Sequence, residues 1–318
     1  MTEARSLPLA RRGAHPPMIV WLLLALLAAC SLGVDGFASA GNLANVTRQV
    51  AVLSLLAIGQ TFVVAAGLLD LTVGAVATLV VVLSAIWMDG AGNRALSGSL
   101  LAIALGAALG LLTGLLDRHL RINSLILTIG LMTMLYGAVF MVTDQSIGAP
   151  APQLSVLANG DLAGIPLALP LLLIVLLLAH ALLHHTRFGL HLQAIGSSAE
   201  GASHAGLRIG PIVIGAFVLS GALAAVAGLL LLGRLGTGYP NAGNGMELDA
   251  IVAVVLGGTL LTGGRASVVG SVAAAGVLGV ISNVLNLLEV PSFTQMLIKG
   301  IIVVAVIVLQ RPPIGART

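Results

Sequence analysis

Apolar runs of about 20 residues recur from one end of the chain to the other, separated by short polar or glycine-rich breaks. A helix needs about that length to cross the hydrocarbon core of a bilayer. Ten such segments are read, at approximately 18–35, 44–66, 70–88, 97–116, 123–143, 166–183, 211–232, 247–262, 266–285 and 293–310. The pattern predicts an all-α polytopic membrane protein. One interruption stands out for its length, "HHTRFGLHLQAIGSSAEGASHAGLRIGP" from His184 to Pro211.

This polar stretch carries the signature of a small capped helix. Ser197 is the expected N-cap, and Glu200 stands three residues on, where it can reach back to complete a capping box. Ala199, Ala202, Ser203 and Ala205 favour the helix, and Gly206 can end it. The reading is a two-turn helix held between Gly196 and Gly206. Alone it would be only marginally stable, so a docked partner would complete it.

Composition narrows the class. Of 318 residues, 58% are hydrophobic and 8% charged, too few charges to cover a soluble domain of this size. The net charge of +3 comes from basic residues scattered singly between apolar runs, which signals topology and not a nucleic-acid surface. With the N-terminus in the cytoplasm and the spans alternating, Arg5, Arg11, Arg12, Arg118, Arg121, Arg187, Arg208, Arg265, Arg311 and Arg317 fall inside. Arg48, Arg94 and Arg234 fall outside. This agrees with the positive-inside rule. Both termini are then cytoplasmic: a tail over 1–17, a membrane domain over 18–311 and a tail over 312–318, with the loop 184–210 in the cytoplasm. The long loop from Asp144 to Ile165 lies outside, as an external contact or a plain connector. Cys30, the single cysteine, cannot form an intrachain disulfide. "LLAAC" (Leu26 to Cys30) after Arg11 and Arg12 leaves a cleaved signal as an alternative.

No catalytic constellation appears. The chain lacks a GxxxxGK[ST] phosphate loop, HExxH and GxSxG, and no Cys/His cluster points to a metal; His184, His185, His191 and His204 read as solvated loop residues. Asp70, in "GLLDLTVG", suits a helix cap better than an ion-coupling site. Glu247 and Asp249 stand where a helix start tolerates negative charge. A weak internal repeat pairs Leu109–Ser124 with Leu278–Ser292, and "DLTVGAVATL" (Asp70–Leu79) with "ASVVGSVAAA" (Ala266–Ala275). If real, it would invert the halves in the membrane, as in many transporters. Gly106, Gly110 and Gly114, like Gly270 and Ala274, have the spacing of close helix packing. "GGTLLTGGR" (Gly257–Arg265) reads instead as a re-entrant turn or broken helix, tolerated only where protein or a cavity surrounds it.

"TRFGLHLQAIGSSAEGASHAGLRIG" resembles the cytoplasmic coupling segment of the permease subunits of ribose-type monosaccharide ABC importers. Glu247–Leu288, Gly59–Leu79 and Ile122–Gly137 are similar to the same family, collinearly from about Gln49 to Arg311. The resemblance implies a type II ABC importer-like fold of ten spans with inverted halves. It implies an inner-membrane permease that pairs with a second, identical or paralogous, permease. Two ATPase domains, which carry the ATP and Mg, would dock beneath, and an extracytoplasmic sugar-binding protein would deliver the solute; the chain itself would bind no cofactor. Coupling falls on Ser198, Ala199, Glu200, Ala202, Ser203 and Gly206. The translocation path falls on Gly257, Gly258, Thr259, Gly263 and Gly264, with Asp70, Thr72 and Gly74 of the first-half motif as further candidates. Two departures are mild: Ser197-Ser198 follows "AIG" where relatives often have Gly-Asn or Ser-Asn, and the loop ends "AGLRIG" where Ile-Asn or Val-Asn often follows the Gly. Aromatic residues are only 3% of the chain, so tight sugar recognition is expected in the binding protein. Branched-chain amino acids or nucleosides as substrates, and an ion-coupled secondary transporter, are the alternatives.

Overall fold

The computed structural model describes residues 18–301 apart from positions 121, 292, 296 and 299. Both tails, and most of the expected segment at 293–310, lie outside the described residues. The long helices are α1 (Met18–Gly33), α2 (Ala40–Ala65), α3 (Thr72–Met88), α4 (Ala95–Leu120) and α5 (Ser124–Val142) in the first half. A short α6 (Pro152–Asn159) and a two-stranded hairpin, β1 (Asp161–Leu162) and β2 (Ile165–Pro166), follow. Then come α7 (Ala168–His185), α8 (Arg187–Ser197), α9 (Ala199–His204), α10 (Ile209–Leu235), α11 (Met246–Leu256) and α12 (Val268–Leu287). Among the described residues, α2, α5, α7, α10, α12 and α4 with the turn before it are long and apolar enough to cross a membrane.

Residues chosen for local chemistry set the boundaries. Ser39, Asn123 and Ser267 each accept a backbone N–H in the first turn of α2, α5 and α12, which satisfies donors that the helix leaves open. Gly236 ends α10 in the left-handed region, at φ 74°, where a side chain would be strained.

The core is built on α2, which is buried from Ala51 to Ala65 against α10, α12, α11 and α7. The expected small-residue packing is present. Gly106 and Gly110 of α4 bring their backbone onto the Gly221 and Phe217 carbonyls of α10, and a Cβ at Gly114 would stand 2.9 Å from the Ile214 Cα. By contrast α4, α5 and α7 leave large apolar side chains such as Leu100, Met134 and Leu177 exposed, as lipid-facing helices do.

Four expectations change. The segment expected at 247–262 is helical only over α11, whose 11 residues rise about 16 Å, too little to cross a bilayer; the glycine pairs after it form a turn. The loop between α5 and α7 holds two elements that the hydropathy pattern does not show, α6 and the hairpin. The paired repeat segments do not occupy equivalent places. Asp70–Leu79 and Leu109–Ser124 fall mainly on separate helices, α3 and α4, whereas both counterparts fall mainly on α12. Finally, the capped helix begins one residue later than its sequence suggests, as described below.

Candidate functional site

Helix α8 lies in the stretch whose mixed polar and apolar residues suggest a solvated loop. It turns straight back from α7. Thr186 donates its hydroxyl to the Leu182 carbonyl at 2.6 Å and accepts the Gly189 N–H at 3.4 Å. The backbone of Gly189 sits so close to Leu183 that no side chain fits. Leu192 and Ile195 are buried, Phe188 meets Phe62 of α2 with ring centroids 6.3 Å apart, and a Cβ on Gly215 of α10 would touch the Phe188 ring. An amphipathic helix is thus clamped onto two core helices.

The end of α8 meets two other chain breaks. Gly196 abuts the Ala65 carbonyl at the end of α2, and also Gly263 and Gly264. Gly264 donates its N–H to the same Ala65 carbonyl at 3.0 Å. Gly67, at φ 79°, faces the Thr262 carbonyl, and Ser197 lies against Gly264. Three segments meet largely backbone to backbone here, with little side chain to absorb a displacement.

Helix α9 hangs from this junction. Its N-cap is Ser198, whose Oγ accepts the Gly201 N–H at 3.0 Å. Ser197 cannot cap it, because α8 continues through Ser197 and its hydroxyl is committed to the Gln193 carbonyl at 3.0 Å. Glu200 is therefore in the first turn, one place too early for a capping box, and α9 is shorter than two turns. Its end is as expected: Gly206, at φ 80°, places its N–H on the Ser203 carbonyl and that of Leu207 on the Ala202 carbonyl, a Schellman closure. Ala202 is buried, while Ser198, Ala199, Glu200, Ser203 and Gly206 are exposed.

The path candidates separate into four places. Asp70 is buried within the break between α2 and α3. Its Oδ1 accepts the Thr72 N–H at 2.9 Å and the Thr72 hydroxyl at 2.5 Å, and its Oδ2 accepts the Ser220 hydroxyl of α10 at 2.9 Å. With its amide turned to match donors and acceptors, Gln60 pairs with the Asp70 backbone. Gly74 lies elsewhere, against Glu247 and Gly243. Gly257 presses on Gly270 and Ser271 of α12, and the buried Thr259 accepts the Ser267 N–H at 3.1 Å. Gly258 is in the left-handed region at φ 88° with open space beside it. Gly263 and Gly264 belong to the α8 junction instead.

The sequence reading missed two residues. Gly196, a mere flank of the capped helix by sequence, is the contact point; its place directly before that helix is the available signal. Glu247 looks by sequence like a tolerated charge at a helix start. It is 5% exposed because the chain between α10 and α11 runs into the fold, where Thr78 accepts the Gly243 N–H at 2.9 Å. The Glu247 carboxylate accepts the Gly245 N–H at 3.2 Å and the Tyr136 hydroxyl of α5 at 3.4 Å.

Comparison with known proteins adds an independent line. Residues 42–307 match the family model described as the permease component of the branched-chain amino acid transport system. The ribose import permease protein RbsC of Escherichia coli strain K12 is 36% identical over 297 residues, covering 91% of each chain. RbsC of Bacillus subtilis strain 168 is 36% identical over 282 residues, 85% of this chain and 84% of its own. The L-arabinose ABC transporter permease protein AraH of Azospirillum brasilense is 33% identical over 285 residues, 89% of this chain and 83% of its own. No solved structure matches the chain.

Proposed function

Since the chain belongs to the family of branched-chain amino acid transport system permease components, we propose that it is the membrane subunit of an ABC importer for a monosaccharide of the ribose or arabinose class. It is a transport subunit and not an enzyme. ATP and Mg belong to two partner ATPase domains, and α9 is the element they grip. A second permease copy or paralogue and an extracytoplasmic sugar-binding protein complete the assembly. The chain lies in the bacterial inner membrane with α8, α9 and both termini in the cytoplasm.

The observation that carries this reading is the backbone junction of Gly196, Ala65 and Gly264. A partner that pushes α9 moves α8 as a rigid unit. The motion reaches the α2–α3 break and the turn after α11 without being absorbed, because close-packed backbone is bistable and not soft. Binding of ATP by the partners biases the two arrangements through their different affinities for it.

The test uses the full chain with its ATPase and binding protein in vesicles. Replacing Ala199–Ala205 by a flexible linker should abolish ATPase co-purification and sugar uptake together. Co-purification undiminished by that change removes α9 from the interface. Leucine uptake in place of ribose or arabinose would favour the second reading, a branched-chain amino acid substrate, for which the family description speaks.

A further inference from the structure

We propose that the cleft between α3 and α4 is a site for an anionic glycerophospholipid, with one acyl chain in the cleft and the phosphate at Arg94. This goes beyond the transport reading and does not depend on it. The cleft has a volume of about 260 Å³, below the ~300–1,000 Å³ of small-molecule sites. It therefore suits a slender apolar segment better than a whole polar solute. Leu83, Leu101, Ala102 and Leu105 line its length, and Trp87 and Gly98 flank its mouth. The surrounding surface is lipid-facing, since Leu96 and Leu100 are 73% and 60% exposed.

The mouth is polar. Arg94, exposed in the turn before α4, donates to the Trp87 carbonyl at 3.1 Å, which leaves the rest of its guanidinium free to face an anion. Trp87 Nε1 reaches Ser97 Oγ at 3.5 Å. An aromatic ring and an arginine at the end of an apolar helix pair are the usual marks of the membrane–water boundary. Ser84 lies about one turn deeper on α3. It lines the cleft and is nearly buried, and its hydroxyl makes no hydrogen bond among the described residues. The order along the cleft is thus cation, hydroxyl, apolar floor. A glycerophospholipid presents phosphate, ester carbonyl and acyl chain in the same order. A second copy of this chain would cover the apolar length and shield Trp87 from lipid.

The chain has two tryptophans, so a Trp21→Phe background leaves Trp87 as the reporter. The full chain is reconstituted in phosphatidylcholine vesicles with a rising fraction of phosphatidylglycerol brominated on its acyl chains, which quenches tryptophan on contact. Quenching should saturate at a low brominated fraction. Arg94→Gln, a surface change that leaves folding intact, should raise the half-quenching fraction about fivefold, the loss expected for one cation at an anionic lipid. Ser84→Leu, which fills the cleft, should remove the saturable component. Quenching that follows the bulk fraction in the parent overturns the site, as does an absence of quenching because another copy covers Trp87. A shift with Arg94→Gln but none with a folded Ser84→Leu overturns the acyl chain's place in the cleft. If Ser84→Leu does not fold, the Arg94→Gln result alone decides.

Discussion

At the residue scale, two positions separate rival mechanisms. Gly196 has no room for a side chain, because the Ala65 carbonyl and the Gly264 N–H, both backbone, occupy the space. Gly196→Val should leave the exposed face of α9 able to bind the ATPase but break the link behind it. Uptake should fall about tenfold or more, since a shift of ~1.4 kcal/mol between two arrangements already changes their ratio tenfold. Uptake and ATPase co-purification measured on the same preparation check this; unchanged uptake would mean that motion takes another route. Asp70 is the other position. Its oxygens hold one backbone N–H and two hydroxyls, which is a structural use of a carboxylate. Asp70→Asn keeps an acceptor for Thr72 and should still support ATP-driven uptake. Asp70→Leu strands those donors and should lower stability by about 1–3 kcal/mol per unsatisfied group, read as a lower melting temperature in detergent. If Asp70→Asn abolished uptake without lowering that temperature, a coupled ion at Asp70 would become the better account.

At the element scale, α4 and α10 are joined through glycine, and that contact should be the weak point for bulky substitutions. Gly110→Leu places a side chain where the Phe217 carbonyl now lies. Overpacking of this kind costs about 1–3 kcal/mol, and the variant should melt earlier than Gly130→Leu, a change on α5 with open space around the site. Equal melting temperatures would place the α4–α10 contact outside the stabilising core. Helix α9 is held differently: it has one buried side chain, Ala202, and two caps. Ser198→Ala removes one cap, worth about 1 kcal/mol, from a helix of six residues. ATPase affinity should weaken with little change in the melting temperature of the membrane domain.

At the scale of the whole molecule, the prediction concerns the energy source. Uptake in vesicles should require the ATPase partner and ATP, and should persist when ionophores collapse proton and sodium gradients. Uptake by the purified chain alone, driven by such a gradient, would overturn the importer reading. The sequence by itself determined much of this protein. Membrane residence, the polar interruption between α7 and α10, the ends of most helices and the small-residue faces all follow from local hydrophobicity, capping chemistry and 3.6-residue periodicity, which each residue carries within a few neighbours. The tertiary structure alone decided that Ser197 ends one helix and does not start the next, because the choice between two adjacent serines was made by the packing of α8 on α2 and α10. It alone brought Gly196 to Gly264, and it alone buried Glu247 beside Tyr136. Contacts between segments far apart in the chain depend on how helices pack, and packing is a property of the assembled fold that no local pattern encodes.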